Sequence, residues 1–418
     1  MDERQQKGLV IAATKKITQK GATYLVPAQS RTGRYAVDMA TRRCSCPDHE
    51  LTGRDCKHIY SVEFYLERET SIAPDGTKTV KETTGVRLTY TQSWSSYNAA
   101  QTTEKDHFCR LLRDLVAPIP SPQQTGKGQR RLPLADMLFS AAFKVYSGFS
   151  GRRFMTDMRA AELHGHVAKA PCYNSIFNVI ESEEVTPIIK ALIETSALPL
   201  ASVESDFAVD STGIGTSRTF NYYSHRYKQE QKGHAWLKLH AIVGTKTNII
   251  AAAEVTERDQ HDSPQFVPLV EKTADNFTIG AVTADKAYCG IRNQEVVIAS
   301  GGIPFIPFKE RHHGHGPNPL WNRLFHYFEF NRDEFLAHYH RRSNVEATFS
   351  ALKRVFGDSV RSKTPTAQRN EALLKALCHN IRVLIHEMHD LGVTPVFEKM
   401  VCPTEAAPVE SAQRELAL

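Results

Sequence analysis

Three cysteines and one histidine, arranged in two closely spaced pairs, place the strongest constraint on how this chain can fold. Cys44 and Cys46 are separated by one residue, nine residues follow, and Cys56 and His58 are again separated by one. Thiolates and imidazoles in this number are the ligands of tetrahedral Zn²⁺ in structural sites, where four protein ligands leave no open coordination position. A chance grouping is a poor explanation, because two pairs and a turn-rich loop would have to coincide. The sequence therefore predicts a small domain organised around structural zinc.

The two pairs resemble the SWIM zinc finger, whose pattern is Cys-x-Cys, a variable gap and Cys-x-His. SWIM domains bind DNA or protein, so the resemblance implies a docking role without choosing the partner. Structural zinc supplies on the order of 10 kcal/mol of folding free energy in such small units. We therefore expect chelation to unfold residues 20–70.

The length and composition of the chain set limits on its architecture. With 418 residues it is too long for one ordinary core, so roughly two to four domains are expected. No stretch reaches the roughly 18 apolar residues of a membrane span, and the polar start is not a signal peptide. We therefore expect no membrane contact and a cytoplasmic location. The net charge of +6 tolerates a nucleic-acid partner without demonstrating one.

Changes in composition along the chain predict five segments. Prolines and glycines between 118 and 133 are typical of a flexible linker, and the Ala-, Glu- and Pro-rich end is typical of a disordered tail. The helical pattern before residue 200 fits a helix-turn-helix DNA module or, somewhat better, a plain helical spacer. The predicted segments are a zinc-binding domain (1–75), a helix and flexible linker (76–133), a helical region (134–200), an α/β domain (201–390) and the tail (391–418).

Residues 201–390 combine strands and helices in an order typical of a mixed α/β fold. Three strand-like runs come first, and two more alternate with helix-like segments before a long final helix. This order indicates one domain with a mixed sheet. The predicted strands are 207–209, 237–243, 249–255, 281–282 and 305–308, and the predicted helices are 263–276 and 290–299.

Two aspartates stand at the ends of apolar runs in this domain. Asp210 ends one run and precedes a glycine-containing turn, and Asp285 ends another. A carboxylate where a strand gives way to a loop lies at the edge of the sheet, where ligands usually bind. Two of them from one sheet could jointly hold a hard cation such as Mg²⁺, because this ion takes oxygen ligands.

The segment 341–356 is predicted to form a helix with two stripes. An apolar stripe at helical spacing is expected to be buried, and a polar stripe forms beside it if the helix begins early enough. From residue 339 to 369, seven Lys or Arg accompany only two acidic residues, which favours a surface facing phosphates over a solvated charged face. The apolar stripe is Val345, Phe349, Leu352 and Phe356, and the polar stripe is Tyr339, Arg342, Glu346 and Lys353.

The polar stripe matches the Y-x2-R-x3-E-x6-K signature at every spacing, and this part of the chain resembles bacterial insertion-sequence transposases of the DDE class. The residues around Asp210 and Asp285 are similar to the first and second catalytic aspartate motifs of that family. The resemblance covers roughly residues 200–390 and implies an RNase H-like catalytic domain.

By this resemblance, Asp210, Asp285 and Glu346 are catalytic and hold two Mg²⁺ or Mn²⁺ ions, roughly 4 Å apart in such sites. One ion would activate water or a DNA 3′-hydroxyl, and the other would stabilise the leaving oxygen. The implied partner is double-stranded DNA, at the element ends and at the target, bound by a homo-oligomer within a bacterial nucleoid. The implied DNA-binding residues are Tyr339, Arg342 and Lys353.

Two other functions remain open at this point. An RNase H-like nuclease, such as a domesticated transposase, would cut DNA without joining it. A zinc-dependent regulator that binds DNA or protein would use the same scaffold without chemistry. The presence of all three carboxylates argues against the regulator.

Other polar clusters carry less weight. The histidines of segment 311–315 lie in a glycine-rich basic loop, which favours a mobile surface segment over a metal site. Asp206 shares a strand face with the first aspartate but stands at the far end of the run. Asp259 and Asp262 are expected to be capping or loop residues. The basic, aromatic segment 218–238 could grip DNA or form an ordinary β-hairpin.

Overall fold

The computed structural model describes nine ranges of the chain. They divide between two compact units, Met1–Gln92 and Ser93–Leu418. The middle of the predicted linker, most of the basic aromatic segment and the end of the predicted tail lie outside the described residues. The described ranges are 3–15, 17–21, 23–28, 33–67, 70–72, 78–80, 93–121, 131–216 and 236–398.

The N-terminal unit combines short helices with small antiparallel sheets. Strands β1 to β4 form one sheet in chain order, β5 pairs with β6, and the apolar core lies between the first sheet and the helices. The elements are α1 (Glu3–Thr14), β1 (Thr18–Lys20), β2 (Thr23–Pro27), β3 (Arg34–Asp38), β4 (Arg43–Cys44), α2 (Pro47–Thr52), α3 (Lys57–Glu67), β5 (Thr70–Ile72) and β6 (Lys78–Val80).

The second unit begins with a helical layer, as the pattern up to residue 200 predicts. Its apolar faces are buried in one core with the following sheet. Asp136 is almost fully buried, and it accepts a hydrogen bond from Arg113 at 2.7 Å, so its charge is paired. The helices are α4 (Trp94–Thr102), α5 (Glu104–Val116), α6 (Leu134–Ser147), α7 (Gly151–Leu163), α8 (Tyr173–Ile180) and α9 (Val185–Ala197).

A mixed five-stranded sheet forms the centre of the second unit. The strand order is β11-β10-β7-β8-β9, with β7 to β9 antiparallel and with β10 and β11 parallel to β7. This arrangement confirms the predicted fold class, a mixed-sheet, RNase H-like α/β domain. The strands are β7 (Asp206–Gly215), β8 (Trp236–Gly244), β9 (Ile250–Glu257), β10 (Ala281–Ala284) and β11 (Ile303–Phe305).

The strand that carries Asp210 is longer than predicted. Asp210 lies in the middle of β7, because residues 211–215 continue to pair with β8 where a turn was expected. The parallel partner β10, however, pairs only with residues 206–209. Asp210 is therefore the first residue of β7 beyond that pairing, which exposes one side of the strand at this point.

Helices cover the sheet in the last part of the chain. The long α15 packs against α9 and β9, and the buried Asn380 amide donates to the Ile250 carbonyl while its oxygen accepts from the Ile250 amide. The helices are α10 (Phe266–Ala274), α11 (Ile291–Ala299), α12 (Pro319–Phe330), α13 (Arg332–Tyr339), α14 (Ser343–Phe356) and α15 (Pro365–Asp390).

Helices α12 and α13 are not among the predicted elements. They enclose a separate aromatic cluster against β11, in which Phe305, Phe328 and Phe335 are buried. Within the described part of the chain, no helix is both long and apolar enough to cross a membrane. The domain boundaries at residues 75, 133, 200 and 390 remain predictions.

Candidate active site and metal centre

The sheet places Asp210 beside Asp285. In the parallel pairing of β7 and β10, Val209 stands opposite Ala284, so the next residues in register are the two aspartates. Neighbouring strands lie about 4.8 Å apart. Both aspartates are half-buried, and they lie at the carboxyl end of β10. Two carboxylates from separate strands thus stand at neighbouring positions of the sheet edge.

The third carboxylate reaches this point through Arg342. The guanidinium donates to Asp210 Oδ2 at 2.7 Å and to Glu346 Oε1 at 2.5 Å. Glu346 lies in the first turn of α14 and Arg342 in the 3-10 turn before it. One arginine therefore bridges a carboxylate of the sheet and a carboxylate of the helix.

The polar stripe is assembled differently from the prediction. Helix α14 begins only at Ser343, and Tyr339 ends the preceding helix. The Tyr339 ring nevertheless lies near Arg342, with 6.0 Å between the ring centroid and the guanidinium carbon. Lys353 is half-buried two turns beyond Glu346 on α14. The buried apolar residues Val345, Phe349 and Leu352 anchor α14 in the core. The four residues of the predicted polar stripe are thus distributed over two helices and the turn between them.

Burial and neighbouring charges act in opposite directions on Asp210. Loss of solvent raises the pKa of its carboxyl group, and the nearby charges of Asp285 and Glu346 act in the same direction. The Ser211 amide, which donates to Asp210 at 2.8 Å, and the Arg342 guanidinium lower the pKa again. The net result is a raised pKa, with the Ser211 amide and the positive charge of Arg342 offsetting part of the effect of burial.

The predicted zinc ligands converge in the N-terminal unit. Sγ of Cys44 and of Cys56 lie 3.9 and 3.8 Å from Nδ1 of His58. The ligand atoms of these three residues and of Cys46 all lie within 4.8 Å of one another, and all four side chains are buried. Tetrahedral Zn²⁺, with bonds of about 2.0–2.3 Å, needs ligand atoms at such separations. The set therefore fits structural zinc, with Nδ1 as the histidine ligand.

Comparison with known families finds two domains in the chain. Residues 201–381 match the family described as Transposase DDE domain, and residues 31–67 match the SWIM zinc finger. The chain carries a transposase DDE domain and a SWIM zinc finger. Both resemblances found in the sequence are confirmed, and they imply DNA as a partner and the use of divalent metal. A search of curated proteins gave no match.

The local structure of the SWIM finger explains how its ligands are held. Cys46 is the N-cap of α2, where its sulfur accepts from the His49 amide at 3.4 Å. Gly53 ends that helix with a φ of 64°, a conformation that favours glycine. His58 lies in the first turn of α3, and its ring packs against Tyr35 with the centroids 4.7 Å apart.

The packing of the SWIM thiols already favours a thiolate. Hydrogen bonding with the Cys44 thiol lowers the pKa of Cys56 far below its ordinary value, although burial opposes this effect. The same interaction raises the pKa of Cys44. Zinc binds the thiolate form of cysteine. The cluster is therefore partly prepared for metal by the fold alone.

A second polar layer behind Asp210 in the DDE domain was missed by the sequence interpretation. Ser211 donates to Asp262 at 3.0 Å, and Lys238 donates to the same carboxylate at 2.8 Å. Tyr288 is buried beside this layer, and burial together with the carboxylates of Asp262 and Asp210 raises its pKa. Asp262, which was expected to be a capping or loop residue, thus connects β7 with β8. Spacing could not reveal it, because its partners are distant in sequence.

Two other polar features of the DDE domain take structural roles. Arg341 donates to Asp206 at the start of β7, so adjacent arginines anchor the turn before α14 to two points of one strand. In segment 311–315, His312 packs against Phe308 and Trp321. Its histidines form no cluster of potential metal ligands within the described residues, and the SWIM set is the only one found there.

Proposed function

We propose that this chain is a DNA transposase that cleaves DNA at the ends of a mobile element and joins the 3′-hydroxyl ends to target DNA. Asp210, Asp285 and Glu346 are its catalytic carboxylates in this proposal. The observation that carries it is their placement at one edge of the sheet: two aspartates are neighbours in register, and the Arg342 guanidinium bridges one of them to the glutamate, so that the carboxylates surround this cation without forming a cluster of close ligand atoms. The transposase DDE domain supports this class of activity.

The donor set fits a divalent metal. Three carboxylates supply the oxygen ligands that Mg²⁺ or Mn²⁺ prefers, and the Arg342 guanidinium shows that the site already accommodates positive charge between two of them. Asp210, Asp285 and Glu346 would hold two such ions, which supply activation of the attacking oxygen and stabilisation of the leaving oxygen. Because the guanidinium occupies Asp210 and Glu346 together, we expect it to release at least one of them when metal binds.

The residues around the carboxylates position the DNA in this proposal. Phosphoryl transfer needs orientation and charge neutralisation more than a covalent side chain. Once released, Arg342 can form paired hydrogen bonds to a phosphate near the cut. Lys353, about 10 Å further along α14, can contact another phosphate of the same strand. Tyr339 can stack on a displaced base or donate to a phosphate.

The wider organisation of the protein follows from this activity. We expect a homo-oligomer assembled on paired element ends in the cytoplasm, associated with the nucleoid. The SWIM finger is expected to dock on DNA or on a protein partner. The helical region 134–200 stands between the finger and the DDE domain in the chain, where it can add contacts to the duplex.

A joining assay separates the transposase from a nuclease. Purified protein is incubated with Mg²⁺ and a labelled duplex carrying the DNA that flanks its own gene, with a plasmid as target and a reaction without added divalent metal as the control. The proposal expects cuts at the element ends and covalent transfer of the 3′-hydroxyl end to the plasmid. Cleavage without transfer would support the nuclease instead. Binding without any cut, in Mg²⁺ and in Mn²⁺, would support the regulator.

A further inference from the structure

A cavity of about 640 Å³ lies in the second unit, away from the three carboxylates. Its wall includes the loop between α6 and α7, the end of α8, the end of α14 and the start of α15. The residues that matter here are Lys144, Phe149, Phe177, Arg354, Arg361 and Lys363. We refer to it as the α14-end cavity.

Lys144 is the most unusual residue of this wall. Its side chain is only 8 % exposed, yet its ammonium group forms no hydrogen bond or salt bridge with the described residues. The ammonium nitrogen lies 6.0 Å from the centroid of the Phe154 ring. Burial, and then the nearby Arg361, lower the pKa of the ammonium. A positive group at the wall of a cavity with little solvent around it and no carboxylate partner would be stabilised by an anion bound there.

The remaining charges of the cavity are also mainly positive. Five of its residues are basic and two are acidic. Glu371, one of the acidic residues, already accepts from the backbone amides of Arg361 and Ser362. The ammonium of Lys375 likewise donates hydrogen bonds to the backbone carbonyl groups of residues 357 and 359. Lys144, Arg354 and Lys363 therefore leave an excess of positive charge in the wall of the cavity.

The other walls suit the sugar and phosphate of a nucleotide. Phe149 and Phe177 are 41 % and 38 % exposed, which is high for large apolar side chains. Gly151 begins the 13-residue α7 at the cavity wall, and its amide belongs to the unsatisfied first turn of that helix. A Cβ at this glycine would lie 2.8 Å from the Phe177 ring, so only glycine permits this close packing.

We propose that the α14-end cavity binds a phosphodiester group of the DNA duplex on which the carboxylates act. From Glu346 to Phe356, α14 rises about 15 Å. With a rise of about 3.4 Å per nucleotide along the duplex axis, this corresponds to four or five nucleotides from the cut if α14 runs along that axis. The identification of the anion as DNA rests on the proposed function. The anion site itself rests on Lys144 and its surroundings.

The test measures DNA binding without cleavage. Zinc-loaded full-length protein is titrated against a fluorescein-labelled duplex at several KCl concentrations, in buffer without Mg²⁺, Mn²⁺ or chelator. The variants are Lys144→Met, which retains the aliphatic stem, and Arg354→Gln at an exposed position. The matched control is Lys272→Gln, an exposed lysine of α10 outside the cavity. We expect each cavity variant to bind several-fold more weakly and to reduce the salt slope by about one. The control should match the wild type.

Three outcomes would overturn the proposal. One is an unchanged salt slope for Lys144→Met when its thermal unfolding midpoint shows that it is folded. Another is a reduced slope for Arg354→Gln alone, which would place DNA on the outer surface. The last combines two results. Inorganic phosphate raises the unfolding midpoint of the wild type but not of Lys144→Met, and the two proteins bind DNA equally well. This combination would identify a site for a small anion. Because the assay contains no Mg²⁺ or Mn²⁺, a failure of catalysis does not affect it.

Discussion

At the scale of single residues, Arg342 determines the state of the proposed active site. It donates to Asp210 and to Glu346, whose side chains are 21 % and 58 % exposed. The two carboxylates repel each other and each attracts a cation, so the guanidinium supplies the charge that a metal ion would otherwise supply. Metal and arginine therefore compete for the same oxygens, and DNA phosphates offer the released arginine a new partner.

Replacement of Arg342 by glutamine is expected to separate metal binding from catalysis. Without the competing guanidinium, Mn²⁺ should bind more tightly in the absence of DNA, as measured by isothermal titration calorimetry. Cleavage should be slower by about 10²-fold, because a charged group near the phosphate is lost. Arg341→Gln is the control, since Arg341 pairs with Asp206 instead. Weaker Mn²⁺ binding in the Arg342 variant would contradict the proposed competition.

The positions of single residues were only partly predictable from sequence. The spacing of seven residues between Glu346 and Lys353 places both on one side of a helix, and α14 contains both. The role of Asp262 was not predictable, because its partners Ser211 and Lys238 are brought together only by the pairing of β7 with β8. Hydrogen bonds between distant segments have no periodicity in the sequence.

At the scale of elements, the SWIM finger depends on its ligands. Its sheet and helices are short, and the buried ligand cysteines form part of its apolar core. A core of this size cannot by itself offset the conformational entropy of the chain. Bound zinc would add on the order of 10 kcal/mol to its folding free energy.

Removal of zinc is therefore expected to unfold this unit selectively. In the full-length protein, a chelator should abolish the protection of amides in residues 33–67 against hydrogen exchange. Protection in β7 to β10 should be retained, because that sheet has its own large core. Cys56→Ser should have the same effect without chelator, whereas Cys172→Ser, at an exposed cysteine of the second unit, should have none. Protection of 33–67 that persists without metal would show that zinc is not structural.

Helix α15 is attached to the sheet by a buried asparagine. Asn380 is fully buried, and its side chain bonds both backbone groups of Ile250 and the hydroxyl of Ser196. We expect Asn380→Ala to lower the free energy of unfolding by about 2–4 kcal/mol, because several buried polar groups lose their partners. Urea denaturation measures the change, with the exposed Asn98→Ala as control. A loss below about 0.5 kcal/mol would mean that the contacts are dispensable.

The types of most elements follow from periodicity, and their ends do not. The alternation of strands and helices after residue 201 predicted the mixed sheet, yet β7 extends to Gly215 because β8 pairs with it. Helix α1 was not predicted from the sequence, because Gly8 weakens its helical pattern. Close packing against α3 nevertheless requires that glycine, since a Cβ there would lie 2.7 Å from Tyr60 Cβ. Tertiary contacts thus override local preference.

At the scale of the whole molecule, the stability of the second unit is expected to depend on pH through His379. Burial lowers the pKa of this histidine from 6.5 to about 4. Between these values the unfolded chain binds a proton that the folded chain does not, so stability falls as the pH falls from 6.5 towards 4. The full effect is about 3 kcal/mol. Glu387, whose pKa burial raises to about 7, acts in the opposite direction.

A single variant isolates the contribution of His379. Glutamine can keep the hydrogen bond to the Asn248 carbonyl but does not titrate. Free energies of unfolding of the wild type and of His379→Gln, measured between pH 7 and pH 4.5, should therefore diverge, with the variant losing less stability. Parallel curves would show that His379 is accessible to protons in the folded state.

One experiment directly tests whether the three carboxylates are catalytic. Asp210→Asn, Asp285→Asn and Glu346→Gln are compared with the wild type and with Glu271→Gln, an exposed position on α10. Each zinc-loaded protein is incubated with the DNA flanking its own gene, with or without added Mg²⁺ and without chelator, and both binding and cleavage are measured. We predict Mg²⁺-dependent cleavage by the wild type and by Glu271→Gln only, with DNA binding retained by every variant. Full cleavage by any of the three active-site variants would remove that residue from the site and contradict the proposed chemistry.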